Sequence, residues 1–228
     1  MKLSEEMKNK PLLSFELFPP KTEKGLQNLP GTIDYLMKYN PSYISCTYGA
    51  GGGNVGANRE VCQMIKNAGT TPVTHFTVIK NTKEGIKEQL DQYLADGVDH
   101  MLALRGDIPL GETTTCGDFD YATDLVKFVR DTYGDKFEIA VAGSPEGHIS
   151  CRSLESDIAV LKQKQDNGAD YIMTQLCWDM EQFRYWLDAI REAGITMPVD
   201  VGVMPILDMG ATINMALSRN GCVMDSEL

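Results

Sequence analysis

Seven short runs of β-branched, aromatic and other apolar residues recur along the chain, and their even spacing constrains the fold more than any other feature. Their starts lie about 27 to 37 residues apart, close to the length of one strand followed by one helix. The segments between them carry apolar residues at helical spacing. We predict strands at 13–18, 43–48, 73–79, 100–105, 137–143, 171–176 and 199–205.

Strands that alternate with helices and show no hairpin signal are typical of parallel β/α folds. The repeat is even and lacks a nucleotide-binding fingerprint, so we predict an α/β fold of the (β/α)8 TIM-barrel type rather than an open sheet. By the same spacing an eighth strand would start at about residue 230, just past the end of the sequence. We therefore expect the eighth strand and helix to be missing, and 1–228 to form a single barrel domain that is incomplete at its C-terminus.

Composition excludes several classes of protein. No apolar run of membrane-spanning length occurs and the charged start MKLSEEMKNK is unlike a signal peptide, so we expect a cytoplasmic protein with no membrane partner. The net charge of −11 argues against a nucleic-acid partner. The six cysteines form no C-x-x-C pair and no histidine stands at metal-ligand spacing, so we predict no metal site.

Polar residues stand where the predicted strands end. Active sites of β/α barrels lie at the carboxyl ends of the strands, because the loops that follow all the strands meet there. We therefore expect these side chains to form one ring around a ligand site. They are Glu16, Thr47, Tyr48, His75, Thr77, Arg105, Asp107, Ser144, His148 and Gln175.

Glu16 is the strongest candidate for catalysis within this ring. It lies between Phe15 and Leu17, and the pair Pro19 and Pro20 ends its strand rigidly. Desolvation in such a setting raises the pKa of a carboxyl group, which suits a general acid that holds its proton at neutral pH. The alternative is a structural glutamate paired with an arginine or a lysine.

Other parts of the ring leave two interpretations open. Arg105, Gly106 and Asp107 bring a guanidinium, a close-approach glycine and a carboxylate to one rim, or else an ion pair closes the loop. His75 is either a hydrogen-bonded core residue or a ligand contact. The loops 49–54 and 144–148 are either plain turns or ligand-binding loops.

Taken together, the segments SFELFPPKT, SYISCTYGAGG, PVTHFT, LALRGDIP, AGSPEGH and MTQLCWD resemble the methylenetetrahydrofolate reductase family, in its bacterial type. The resemblance runs along nearly the whole chain. It implies an oxidoreductase of one-carbon and methionine metabolism that uses a non-covalent flavin to reduce 5,10-methylenetetrahydrofolate to 5-methyltetrahydrofolate.

The resemblance also implies roles for individual residues. Glu16 would be the general acid, Asp107 would face both flavin and folate, and Gln175 would position the pterin or the nicotinamide. The implied flavin contacts are Thr47, Tyr48, Ala50, His75, Arg105, Gly106, Asp107, Ser144, His148, Asp157 and Lys164.

The form of the flavin and the electron donor stay open. FAD is expected, with FMN as the alternative, because Ser144, Val160 and Gln163 stand where better-known members have tyrosine, asparagine and arginine. The donor is NADH, NADPH or ferredoxin, since some relatives work with a partner subunit. We expect a homo-oligomer or such a partner subunit.

Two competing interpretations differ in chemistry. A flavin-free barrel lyase or aldolase would need a Schiff-base lysine or a metal triad at the rim, and the predicted strand ends offer neither. A non-catalytic folate- or flavin-binding subunit of a one-carbon complex would have no need for an acid at Glu16.

Overall fold

The computed structural model describes residues 2–20, 22–48, 55–108, 111–204, 206–210 and 212–213, without the side chains of residues 55 and 56. Strands and helices alternate along this part of the chain. The strands are β1 (Ser14–Leu17), β2 (Tyr43–Cys46), β3 (Thr71–Thr77), β4 (His100–Leu104), β5 (Glu138–Gly143), β6 (Tyr171–Thr174) and β7 (Val199–Asp200). The helices are α1 (Leu3–Met7), α2 (Glu23–Met37), α3 (Val55–Asn67), α4 (Lys83–Ala95), α5 (Ala122–Tyr133), α6 (Leu154–Asp166) and α7 (Met180–Glu192), and a 3₁₀ turn covers Gly134–Lys136.

The described strands form one parallel sheet in the order β1-β2-β3-β4-β5-β6-β7. The sheet curls as the first seven strands of a (β/α)8 barrel do, so the predicted fold class and all seven predicted strands are confirmed. Strand β3 lies two residues earlier than predicted, and the other strands are shorter than predicted, β7 most of all. β6 ends at Thr174, whose hydroxyl accepts a hydrogen bond from the Gly202 amide at 2.9 Å, so this amide bonds to a side chain rather than extending the strand pairing.

The helices begin where the sequence offers capping side chains. Thr22, Thr82 and Ser153 each accept a hydrogen bond from a backbone amide in the first turn of the helix that follows, and Asp179 accepts two. None of the helices in the described part of the chain is long and apolar enough to cross a bilayer.

Side chains of each strand alternate between two packed layers. The outer layer, between sheet and helices, contains Ile44, Phe76 and Met101. The inner layer, inside the curled sheet, contains Tyr43 and Leu102 with other apolar residues toward the amino ends of the strands. Residues spaced by two from these inner residues therefore point into the barrel, and toward the carboxyl ends several of them are polar.

Helix α1 closes the amino end of the barrel, a feature that was not predicted because the first ten residues form a charged stretch. Leu3 is only 2% exposed and packs with the inner layer. The buried Glu138 carboxylate accepts hydrogen bonds at 2.7 Å from the Leu3 and Ser4 amides, which have no partner within the helix. The signal available in the sequence was the spacing of Leu3 and Met7, which places two apolar side chains on one face.

Candidate active site

Four polar side chains point into the barrel where the first three strands end. Glu16 lies on β1, Ser45 on β2, and His75 and Thr77 on β3. Each stands an even number of residues from an inner-facing residue of its strand, and Glu16 is paired with Ser45 in the register of the sheet. The structure therefore brings Glu16 and His75 together, although they are far apart in the sequence.

Within the part of the chain that the structure describes, three of these side chains have a buried polar atom without a hydrogen-bond partner. The atoms are Ser45 Oγ, His75 Nε2 and Thr77 Oγ1. A buried polar group that lacks a partner costs free energy, so several neighbouring ones on one wall indicate a surface that is completed by a polar ligand. Ser45 was not predicted as a site residue. Its position two residues before Thr47 in the same strand was the available signal.

Glu16 combines a partly open position with desolvation. Its side chain is 46% exposed, yet the carboxyl group lies in the concave mouth of the barrel and burial raises its pKa above the ordinary value. Among the described residues, no lysine or arginine pairs with it. The alternative of a structural glutamate held by a basic side chain is therefore not observed within this part of the chain.

His75 is the basic group near Glu16, with Nε2 at 3.7 Å from Glu16 Oε2. The imidazole is 6% exposed, and burial lowers the pKa of His75 to about 4. The ring is thus neutral at physiological pH, and the two side chains do not form an ion pair. The ring is packed in the barrel wall with Nε2 next to Glu16, and a contact with a ligand stays a prediction.

The Arg105-Gly106-Asp107 segment leaves β4 with a backbone that requires glycine. Gly106 has φ +85°, and a Cβ atom there would lie 2.6 Å from Ile79 Cγ1. Arg105 is half-buried and its Nε donates to the Gly106 carbonyl at 3.2 Å, whereas Asp107 is exposed. The two charged side chains do not form the ion pair that was the alternative for this segment.

A second polar group follows β5. The Asp157 carboxylate accepts from the His148 amide at 3.1 Å, and Lys164 Nζ donates to the Ala142 carbonyl at 2.9 Å. Desolvation lowers the pKa of Lys164, although the charge of Asp157 acts in the opposite direction. Ser144 is half-buried at the end of the same strand. A groove of about 310 Å³ opens beside this group, lined by Glu146, Gly147, His148, Ile149, Cys151, Ser153, Leu154 and Gln182.

The remaining predicted contacts differ in what they present to the barrel. The Tyr48 side chain is 2% exposed, packs on Phe76 and donates its hydroxyl hydrogen to Gln89, so it lies in the outer layer and leaves its main chain to contact a ligand inside. The backbone amides of Thr47 and Gln175 donate hydrogen bonds to the Leu17 and Gly143 carbonyls, so both residues continue the backbone pairing just past the ends of their strands. Ala50, with the loop 49–54, lies outside the described residues.

These features define a class, the parallel β/α-barrel proteins that have a ligand site at the carboxyl ends of their strands. Solved structures of this fold include phosphoenolpyruvate phosphomutase from Streptomyces platensis subsp. rosaceus, with a TM-score of 0.62, 10% identity and coverage of 93% of this chain and 83% of that one. Another is 2,3-dimethylmalate lyase, with a TM-score of 0.59, 12% identity and coverage of 99% and 88%. At such low identity these similarities show the fold alone.

The family is given by the sequence. The family model described as methylenetetrahydrofolate reductase matches residues 2–220, and the chain belongs to that family. It is 38% identical over 216 residues to methylenetetrahydrofolate reductase (NADH) 1 of Arabidopsis thaliana, and the aligned region covers 89% of this chain and 36% of the relative. It is 34% identical over 195 residues to 5,10-methylenetetrahydrofolate reductase of Escherichia coli K12, which covers 85% and 64%. The chain thus spans about a third of the plant relative and somewhat under two thirds of the bacterial one.

Proposed function

We propose that residues 1–228 act as the catalytic barrel domain of an enzyme that reduces 5,10-methylenetetrahydrofolate to 5-methyltetrahydrofolate. Membership of the family supports the substrate and the reaction, since the Escherichia coli relative is named for this reduction. The observation that carries the proposal is Glu16. The pKa of its carboxyl group is raised, and among the described residues the one basic side chain that lies against it is a neutral histidine. Such a carboxyl group is suited to protonate a substrate.

The inner wall of the barrel is suited to a flavin. The polar edge of a flavin ring would supply partners to Ser45 Oγ and Thr77 Oγ1. When bound, the flavin would supply the hydride chemistry. The residues expected to hold its ring are Thr47, Tyr48 through its main chain, Ala50, His75, Arg105, Gly106 and Asp107.

The far part of the flavin would lie against the group that follows β5. Ser144, His148, Asp157 and Lys164 are expected to hold it, and Lys164 offers an amine to a phosphate. We propose FAD for this site, with FMN as the alternative outcome. Acid extraction followed by chromatography of the released flavin distinguishes the two.

Glu16 would act on the substrate directly. Its proton would go to a nitrogen of the five-membered ring of the folate, whose C–N bond then breaks and leaves an electrophilic iminium on the folate. Asp107 would face the developing cation, and Gln175 would position the pterin or the nicotinamide. Substrate bound in this mouth would displace water, which would strengthen each of these electrostatic contacts.

We propose NADH as the electron donor, because the plant relative is named for it. Anaerobic mixing of the full-length protein with NADH, NADPH or reduced ferredoxin, with flavin bleaching as the measurement, tests NADH against the other two donors. We expect the assembled protein to be a homo-oligomer or to work with a partner subunit, and light scattering of the full-length protein decides between these.

Substitution of the acid tests the reaction itself. The full-length protein should purify yellow, and Glu16→Gln should keep the flavin but lose about a hundredfold or more of the rate at which methylenetetrahydrofolate reoxidises it. Glu60→Gln, at an exposed glutamate of α3, is the matched control and should leave the rate unchanged. A colourless protein, or undiminished folate turnover in the Glu16 variant, would exclude this function. A yellow wild type that shows no folate turnover with any donor would favour a binding subunit.

A further inference from the structure

Glu16 and His75 meet inside the barrel in an arrangement that the assigned roles do not explain. A histidine that only contacted a cofactor would not need to face the acid, yet its Nε2 lies 3.7 Å from Glu16 Oε2. This nitrogen is buried and has no hydrogen-bond partner among the residues that the structure describes. The ring is fixed by packing in β3, whereas the Glu16 side chain is 46% exposed and able to rotate.

The charge of a neighbour decides whether a carboxyl group keeps its proton. A lysine, an arginine or a protonated histidine at this distance would favour the ionised form and remove the acid at neutral pH. A neutral imidazole adds no charge, and its unprotonated nitrogen is able to accept a hydrogen bond from a carboxyl O–H. A small rotation of Glu16 closes the 3.7 Å separation to hydrogen-bond distance.

We propose that His75 is a positioning residue for Glu16, whose neutral Nε2 accepts a hydrogen bond from the protonated carboxyl group and holds its proton ready inside the barrel. The proposal rests on the proposed function for the catalytic role of Glu16. The proton balance is simple. Glu16 gives its proton to the folate nitrogen and takes another from water, while the protonation state of His75 does not change.

The other titratable groups around Glu16 do not compete for this role. Tyr43 and Cys46, on the neighbouring strand β2, both have pKa values raised by burial and by their hydrogen-bond partners, so they stay neutral. Asp200, on β7, accepts a hydrogen bond from Ser14 Oγ at 3.2 Å and another from the Tyr43 hydroxyl. Among the described residues, the one basic side chain within ion-pair distance of Glu16 is therefore His75.

Nitrogen NMR of the ring tests the geometry without any turnover. The full-length protein is labelled with ¹⁵N-histidine, and the His75 signals are assigned by their loss in His75→Gln. We expect Nε2 to have the shift of an unprotonated nitrogen at pH 7 and to move in Glu16→Gln, while Glu60→Gln leaves it unchanged. A protonated Nε2, or a signal that does not respond to Glu16→Gln, would overturn the proposal.

Kinetics of the same variants test the consequence. His75→Leu should lower the folate-dependent reoxidation rate per bound flavin about tenfold, because the acid is no longer held in place. His75→Gln should restore most of this rate, since an amide oxygen also accepts from a carboxyl O–H. In Glu16→Gln, adding His75→Leu should cause no further loss.

Three results would contradict the positioning role: an unchanged rate per flavin in His75→Leu, no rescue by glutamine, or additive losses in the double variant. If the His75→Leu protein does not fold, the response of the His75 Nε2 signal to Glu16→Gln in the NMR experiment decides the proposal. If the proposed function fails, wild type has no folate turnover, but the NMR coupling of His75 to Glu16 remains measurable. The two failures are therefore distinguishable.

Discussion

The barrel contains two glutamate–histidine pairs, one toward each end, and their environments differ completely. At the carboxyl end, Glu16 and His75 lie 3.7 Å apart, with a raised glutamate pKa and a histidine pKa lowered to about 4. At the amino end, Glu138 and His100 lie 2.9 Å apart. Burial by itself would lower the pKa of His100, but its contacts with Asp99 and Glu138 raise it to about 9.

The number of additional partners accounts for the difference. Burial alone would raise the pKa of Glu138, but His100 and the amides of Leu3 and Ser4 bring it to about 2. The His100 contact is between charges rather than an aligned hydrogen bond, and Asp99 Oδ1 lies 2.7 Å from the other ring nitrogen. Glu16 and His75 have no such support among the described residues. The amino-end pair is thus a charged structural clasp for α1, whereas the carboxyl-end pair contains an uncharged imidazole and leaves the Glu16 carboxyl group available for chemistry.

The largest expected effect separates the two glutamates by stability. Glu138→Gln removes one of the two carboxylate oxygens that accept from the Leu3 and Ser4 amides and takes the negative charge away from the buried His100, so the free energy of unfolding should fall by about 3 kcal/mol. Glu16→Gln should change it by less than about 0.5 kcal/mol, because among the described residues it loses no charged partner and a glutamine amide also donates to His75 Nε2. Urea unfolding of both variants at pH 6 measures the difference. Equal losses of unfolding free energy would contradict the difference between the two glutamate–histidine pairs.

The pH dependence of stability should follow the amino-end pair. The pKa of Glu138 is depressed to about 2, so its contribution is present above about pH 4.5 and is lost as pH falls through 2. The pKa of His100 is raised to about 9, so its contribution is present below 6.5 and is lost as pH rises through 9. We expect the clasp to be strongest between about pH 4.5 and 6.5.

A double variant isolates this contribution. His100→Gln with Glu138→Gln removes both charges, so the difference between its unfolding free energy and that of wild type should vary with pH by about 2 kcal/mol. Unfolding by urea at intervals from pH 3 to 10 gives both curves, and subtraction removes the titration of Glu16 and His75. Parallel curves would show that the pair does not hold α1 through its charges.

A smaller effect is expected from the backbone of the rim. Gly106→Ala should cost about 1 to 2 kcal/mol more than Gly111→Ala, because both have positive φ but a Cβ at Gly106 also meets Ile79 Cγ1 at 2.6 Å, while one at Gly111 meets nothing within 4 Å. Thermal unfolding of the two variants measures this difference. Equal losses would indicate that the rim yields to the added methyl group, and that it is less rigid than the clasp.

The smallest effect concerns the outer side of the clasp. Lys2 Nζ lies 3.4 Å from Asp170 Oδ1, with 36% of the lysine side chain exposed. Lys2→Met should therefore lower the free energy of unfolding by less than about 0.5 kcal/mol, since solvent screens a pair of this kind. Urea unfolding at low and high salt checks this. A loss near that of Glu138→Gln would show that α1 is held by the surface pair and not by the buried pair.

Much of the candidate site was predictable because it depends on local pattern. The apolar runs and their spacing fix the parallel strands, and the carboxyl ends of parallel strands meet at one edge, so Glu16, His75 and Arg105 were expected near one another. The setting of Glu16 between Phe15 and Leu17 also indicated the direction of its pKa shift, which the structure confirms. The contacts with a flavin and a folate stay predictions.

Other features were not predictable because they depend on which residues of distant strands meet. The alternation of a strand places Tyr48 at the rim, but only the packed layers show that its side chain lies behind the sheet beside Phe76. Glu138 carries no local signal, since its partners are the amides of an N-terminal helix that only the folded barrel brings to it.

The sequence by itself thus determined the order of strands and helices, the parallel sheet and the ring of polar residues, because these follow from periodicity and from the direction of the chain. Only the tertiary structure decided in which direction the pKa of each glutamate is shifted. Both glutamates lie in strands beside apolar residues. Their pKa values differ because a carboxyl group responds to the donors and charges within a few ångströms, and the curl and register of the sheet select those neighbours from distant parts of the chain.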